Sequence, residues 1–472
     1  GIVVSGFYLL IGKFFRNSVI GHPNTYSKTF SPDQPGNFTG GNMNIKTKSY
    51  PEKFFLNFGI STSYNTLSSF RKNFISAPEG TELPEYLKSA DTRKDMSVFG
   101  YLEAKSDARN GDMTRLNQLN NAANDINTPM LPTDITSLMD HGVNVSFGDM
   151  KKIKGENPLG YVFGVKYKKS YNYYDDGVFN RWEALKDGML YKFDMSDENG
   201  TVNDNVGAYA SLSYQFAKNH EVTLSGLYNN DNDVFGREQR GFTEQLGNAH
   251  LYRARAVGEK QRTMQNAQLR GTHNIPGLKD AKLEWTAGYT QSAQHEPDLR
   301  FFSDHVAFAN DDVEGNEDVR MDISSYGLPN HFWRDLVDNK IDFKVDYKQP
   351  FGARKGSFVK VGGLISRKNR DFSEYRFKVA KAPKAELGTD RDWDPYFNNW
   401  GIDLESPYTA NNYFWDDTRQ QNFYTGHENI WAAYGMFVHN FTSSLKVIGG
   451  LRVEGTDIMV ESADTLLNKG QI

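Results

Sequence analysis

Residues 341–348 read Ile-Asp-Phe-Lys-Val-Asp-Tyr-Lys. Ile341, Phe343, Val345 and Tyr347 alternate with Asp342, Lys344, Asp346 and Lys348. Successive side chains of a strand point to opposite faces, so one face here is apolar and the other fully charged. A slip of one residue would exchange the two faces, so the register is strongly specified. The charges must face water, either in a lumen or outside.

The same two-residue period spreads outward from this stretch. Leu56, Phe58, Ile60 and Tyr64 alternate with Asn57, Gly59, Ser61 and Ser63. Leu159, Tyr161, Phe163, Val165 and Tyr167 alternate with Gly160, Gly164, Lys166 and Lys168. Leu283, Trp285, Ala287 and Tyr289 alternate with Lys282, Glu284, Thr286 and Gly288. About eleven such segments are expected, near 54–65, 141–150, 159–173, 205–216, 221–229, 260–273, 281–291, 339–348, 357–369, 429–441 and 445–456. Short turns rich in Pro, Gly, Asn, Lys or Ser fall near 151–158, 217–220, 274–280, 349–356 and 442–444. Between them run connections of about 30 to about 75 residues, longer than ordinary loops and so expected to be functional. Met113 to Ala123 is the mildly helical part of the 66–140 connection.

Short turns at one end and long connections at the other suit an antiparallel barrel crossing an outer membrane. Tyr, Phe and Trp near the segment ends suit interfacial girdles. The polar faces carry Gly, Ser, Lys and Asp rather than a second core, which argues against a soluble sandwich. An antiparallel transmembrane β-barrel is therefore the expected fold. Its water-facing side would carry Lys166, Lys168, Lys282, Glu284, Asp342, Lys344, Asp346 and Lys348. Eleven is odd, whereas bacterial barrels have even strand numbers, and the last residues are polar. The sequence is thus expected to cover only part of a barrel.

Composition is compatible with this reading. The 472 residues are 14% aromatic, include no Cys and carry a formal net charge of -5. Mean hydropathy is -0.65. No apolar run reaches the roughly 18 residues of a membrane helix. Barrel strands meet lipid only at alternate positions, so low hydropathy does not exclude a membrane. No basic cluster stands out, which argues against a nucleic-acid partner.

The amino-terminal run from Ser31 to Lys48 reads Ser-Pro-Asp-Gln-Pro-Gly-Asn-Phe-Thr-Gly-Gly-Asn-Met-Asn-Ile-Lys-Thr-Lys. Pro32 and Pro35 bar a helix there. Met43 and Ile45 alternate with Asn44 and Lys46 as in a short strand. This run resembles the end of the plug domain of TonB-dependent outer-membrane receptors, on Pro35, Gly36, Phe38, Gly40, Gly41, Ile45, Thr47 and Lys48. Glu296-Pro297-Asp298-Leu299-Arg300-Phe301-Phe302 and Gly449-Gly450-Leu451-Arg452-Val453-Glu454 are similar to features of the large-receptor branch of that family.

The resemblance implies a plugged barrel of about 22 strands. It assigns residues 1–50 to the end of the plug and 51–472 to the first barrel half with long extracellular loops. Residues 1–23 match no part of the pattern. The implied location is the outer membrane of a Gram-negative bacterium. The implied partners are membrane lipid, a TonB-type energy transducer acting through a missing N-terminal segment, and surface lipoproteins or other outer-membrane complex subunits. The implied function is import of a scarce or large ligand, powered by the inner-membrane motor. A receptor-derived structural subunit of an outer-membrane complex and a passive porin are the alternatives.

No enzymatic motif is present: there is no Gly-x-Ser-x-Gly elbow, His-Glu-x-x-His pair or phosphate loop. The 10 His residues are scattered. Asp194, Asp197 and Asn199 before Gly200, or Asp311, Asp312 and Asp318, offer oxygen ligands for calcium, but neither set has a regular loop spacing. They are read as solvated acidic loops, with no metal or cofactor expected. Glu296, Asp298 and Arg300 are expected to fix a loop onto the barrel rim. Phe301 and Phe302 would be loop core or, alternatively, a ligand platform. The charged lumen residues are expected to hold the plug through breakable polar contacts or to guide a ligand.

Overall fold

The computed structural model describes residues 25–27, 31–36, 42–44, 51–153, 156–186, 188–247, 250–307, 318–321, 329–352, 356–380, 397, 413–442 and 445–462. Two short strands, β1 (Thr25–Ser27) and β2 (Asn42–Asn44), pair with each other. Next come β3 (Phe55–Ser63), β4 (Phe74–Ser76), β5 (Thr133–Ile135), β6 (Asp140–Ile153), β7 (Asn157–Leu185), β8 (Gly188–Ala217) and β9 (His220–Thr243). The rest are β10 (His250–Ile275), β11 (Ala281–Ala307), β12 (Asp318–Met321), β13 (Asn330–Pro350), β14 (Phe358–Ala380), β15 (Tyr413–Asp416), β16 (Tyr424–Asn440) and β17 (Lys446–Ser462).

One antiparallel sheet dominates. Its main path runs in chain order through β3, β6, β7, β8, β9, β10, β11, β13, β14, β16 and β17, with β12 and β15 attached to β11 and β14. These eleven strands coincide with the eleven expected segments. No described helix is long and apolar enough to cross a membrane, which leaves strands aside.

The strands are much longer than their alternating segments. β7 has 29 residues and β8 has 30, and they pair from Leu159–Tyr214 out to Leu185–Gly188. The connection expected over 174–204 is therefore a continuing hairpin, not a loop. Alternation fades there: Asn203 and Asn205 bond the side chains of Asp231 and Asp233 on one face, Asp204 bonds Lys169 on the other, and Val202 beside them meets Phe74 of the insert. Ladder hydrogen bonds extend the sheet regardless of pattern.

Cross-strand partners share a face, so the register traces one surface across the sheet. The chain of pairs Phe58–Val145, Val145–Val165, Val165–Ala208, Ala208–Tyr228, Leu224–Leu269, Leu269–Ala287, Ala287–Phe343, Phe343–Ile365, Ile365–Trp431 and Ala433–Val453 crosses all eleven strands. This apolar band is the open side: Phe58 is 66% exposed, Ile341 61% and Val453 61%. On the opposite face Ser213 is 0% and Tyr434 5% exposed. That is the reverse of a soluble sheet, where a large apolar face seeks cover.

The connection between β3 and β6 holds its own folded insert. Helices Val98–Arg109 and Thr114–Ile126 lie between β4 and β5. Ser97 caps the first, its hydroxyl accepting from the Gly100 N–H at 3.1 Å. Leu116, Leu119, Ala123 and Ile126 form the buried stripe of the second, at helical spacing. They pack with Leu87, Met96 and Tyr101 against Phe302, Val306, Trp333, Phe377 and Phe414. At the other end of the insert, Phe74 packs on Tyr171, Tyr173 and Val202.

Candidate functional site

Two polar constellations stand out, one on each face of the sheet. All eight residues expected to face water lie on the face opposite the apolar band. Glu284 pairs in register with Asp346, and Lys282 with Lys348. Lys348 in turn pairs with Lys360. Lys166 and Lys168 share the corresponding face of β7, opposite Asn144 and Gly142. Lys282 bonds Glu284 at 2.8 Å, and Lys340 reaches Asp342 at 3.0 Å. Lys348 sits 4.0 Å from the centroid of the Phe358 ring.

This face also receives residues 31–36. Lys360 donates to the Asp33 carboxylate at 2.8 Å, and the Gly36 N–H donates to Glu454 Oε2 at 3.2 Å. Arg452 donates to the Pro32 carbonyl at 3.4 Å and also pairs with Glu454. Asp346 lies 3.6 Å from Lys360 and 3.5 Å from Lys344, and accepts the Tyr434 hydroxyl. Burial alone would raise the Asp33 carboxyl; hydrogen bonds from Lys360 and Ser31 and the charges of Lys360 and Lys344 bring it below its ordinary value. Asp33 is therefore held as a carboxylate.

Of the eight expected residues, Lys344 and Asp346 belong to this seat. Of the amino-terminal motif, Gly36 bonds Glu454 and Pro35 is exposed beside it. Phe38, Gly40, Gly41, Ile45, Thr47 and Lys48 lie outside the described residues. Asp33, Lys360 and Tyr434 were not singled out in the sequence. Lys360 and Tyr434 were legible as polar-face positions of β14 and β16 once the register was extended. Asp33 carries no periodic signal.

The second constellation ties the insert to the sheet. β11 bulges between Glu296 and Leu299, and Asp298 there has a φ of 50°. Aspartate tolerates this left-handed conformation better than most residues. The bulge places the Asp298 carboxylate 2.6 Å from His331 Nδ1 and 3.6 Å from Arg300 Nε. The Thr128 hydroxyl donates to the same carboxylate at 2.5 Å. Arg300 donates onward to the carbonyls of Pro129 and, at 2.9 Å, Pro78. The Trp333 indole donates to the Thr81 carbonyl at 2.7 Å. Burial would raise the Asp298 carboxyl, but the facing His331 and Arg300 hold it below the usual carboxylate range.

Asp298 and Arg300 are thus brought together, while Glu296 stands apart and pairs with Lys260 at 3.1 Å and Arg334 at 3.5 Å. Phe302 is buried in the insert's core and Phe301 is part-exposed against Phe332. His295 completes the attachment. Its two ring nitrogens lie 2.5 Å from Asp335 and 2.9 Å from Glu82. Both partners are acceptors, so both nitrogens must donate, and the Asp335 bond in particular pushes the imidazole pKa up to about 9.

His331 and Trp333 share a face of β13 with Ile341, Phe343 and Val345. The insert therefore packs on the side of the sheet that bears the apolar band, beyond the band's end. Residues 31–36 occupy the other side.

The calcium candidates divide. Asp194, Asp197 and Asn199 lie within β8, and Asp197 accepts two bonds from Arg237, at 2.7 and 2.8 Å. Asp318 opens β12, whereas Asp311 and Asp312 lie outside the described residues. Among the described residues no three acidic or His side chains gather as a metal site. No family model, curated protein or solved structure matches the chain.

Proposed function

We propose that this chain is a section of a TonB-dependent outer-membrane receptor that imports a scarce or large ligand. In this reading the apolar band meets lipid and the charged face lines a barrel lumen. Residues 31–36 are the end of a plug, and the insert stands on the outer wall above the membrane. A sheet in lipid must have its edges paired, so a closed barrel is the form this reading requires.

The observation that carries the reading is the seat of residues 31–36 on the charged face. A plug that force must move is best held by hydrated hydrogen bonds and ion pairs, each worth little alone. Asp33, Pro32 and Gly36 are held by such contacts. Import of this kind makes and breaks no bond in the ligand.

The test uses the full-length protein isolated from outer membranes. In a planar bilayer in potassium chloride it should conduct no ions until mild urea releases the plug. It should also bind the periplasmic part of the energy transducer. Steady conductance without urea would favour a passive porin. No transducer binding, with stable co-purifying outer-membrane proteins, would favour a structural subunit.

A further inference from the structure

We propose that the cation cluster around Tyr434 is a carboxylate-binding site, filled here by the chain's own Asp33, and that a ligand carboxylate frees residues 31–36 by taking that place. The inference rests on the reading of those residues as the plug's end.

The geometry is that of a built receptor. Three cations from three strands surround the buried Tyr434 ring. Lys344 and Lys360 Nζ lie 5.9 and 5.6 Å from its centroid, and the Arg452 guanidinium 5.9 Å. The sheet itself supplies two carboxylates to this group, Asp346 and Glu454. Asp33 supplies the third, on Lys360. Withdrawing Asp33 leaves three cations facing two fixed anions at a half-covered site, and an uncompensated charge there is costly. An arriving carboxylate removes that cost, whereas a neutral ligand does not.

The walls are fixed and the occupant is exchangeable. Gly362 faces Tyr434 and Asp346 across β14. A Cβ there would lie 2.6 Å from the Tyr434 hydroxyl and 2.6 Å from Asp346 Oδ1. Glycine therefore lets the ring and carboxylate lie flat against the strand. All the cations belong to the sheet, whereas residues 31–36 contribute one carboxylate and backbone groups. A ligand with higher affinity for the vacated site shifts the equilibrium toward release, by as much as that difference in affinity.

These 472 residues include no cysteine, so Gln34→Cys in the full-length protein, with any cysteine elsewhere changed to serine, gives one reporter thiol beside Asp33. Its labelling by a maleimide is followed in detergent micelles, in chloride or in succinate at equal ionic strength. Labelling should be slow in chloride and several-fold faster in succinate. Lys360→Met should raise the basal rate and remove the succinate response, and Lys360→Arg should retain the response. The pair Asp33→Lys with Lys360→Asp should restore slow labelling without a succinate response, which shows that the exchanged proteins still fold. Equal rates in succinate and chloride, or a response surviving Lys360→Met, would overturn the site. Labelling in chloride as fast as in the denatured chain would instead sink the plug-end reading itself.

Discussion

Gly200 and Gly236 are register partners in β8 and β9, and the backbone of Ile75 and Ser76 rests on the pair. A Cβ at Gly200 would lie 2.0 Å from the Ile75 carbonyl oxygen, and one at Gly236 2.9 Å from Ser76 backbone atoms. Neither contact can be relieved by turning a side chain. Alanine at both positions should lift β4 at a cost of roughly 1–3 kcal/mol, the usual range for overpacking. Amide exchange should accelerate over residues 71–76 and 133–137 while the main sheet keeps its protection. Unchanged exchange in the insert would contradict the seat.

Arg300 is 1% and Asp298 0% exposed. Losing Arg300 removes the guanidinium facing the buried Asp298, which keeps His331 and Thr128, and leaves the Pro78 and Pro129 carbonyls without their donor, so Arg300→Met should destabilise the insert by about 1–3 kcal/mol. Replacing both, with Asp298→Asn added, should recover part of that loss. Urea unfolding followed by proteolysis within 78–131 reads both variants. A double variant less stable than Arg300→Met would show that the pair is not the unit.

The Glu82–His295–Asp335 link should respond to alkali. The folded-state pKa of His295 is raised to about 9, above the ordinary histidine value. Its contribution is therefore complete below the unfolded pKa and is lost as pH rises through about 9. The imidazole carbon shifts of His295 should titrate near that value, and Glu82→Gln with Asp335→Asn should return them toward the ordinary range. Titration of the unaltered protein near neutrality would refute the doubly donating ring.

The two faces of β13 make opposite predictions under the membrane reading. Phe343→Arg or Val345→Arg should cost roughly 2–4 kcal/mol near the bilayer midplane. Lys344→Arg, on the other face, should be nearly silent. Refolding of the full-length protein into lipid vesicles measures the difference. Equal effects on both faces would contradict the band as a lipid surface.

What could be read from the chain alone depended on where one face of a strand had to differ from the other. Ile341 to Lys348 specify strand, register and face within eight consecutive positions. The same holds across the eleven segments of the main sheet. Beyond Tyr173 and Val206 the pattern weakens, because polar groups such as Asn203 and Asp204 find hydrogen-bond partners on both faces and the insert covers one of them. The hairpin there is set by backbone pairing, which leaves little trace in side-chain type. Asp298 and Arg300 are near neighbours in the chain and invited a charged-cluster reading. Their partners Pro78, Thr128 and His331 are remote in the chain, and nothing local connects them.

The sequence by itself determined the all-β class, the eleven strands along the main path of the sheet and the partition of their alternating segments into an apolar and a polar face. These follow from a two-residue geometry that every strand obeys. Tertiary structure alone decided that the insert packs on the apolar band's side and that Asp33 meets Lys360 on the other. The physical reason is that such contacts join segments far apart along the chain, whose proximity is set by sheet register and bulges.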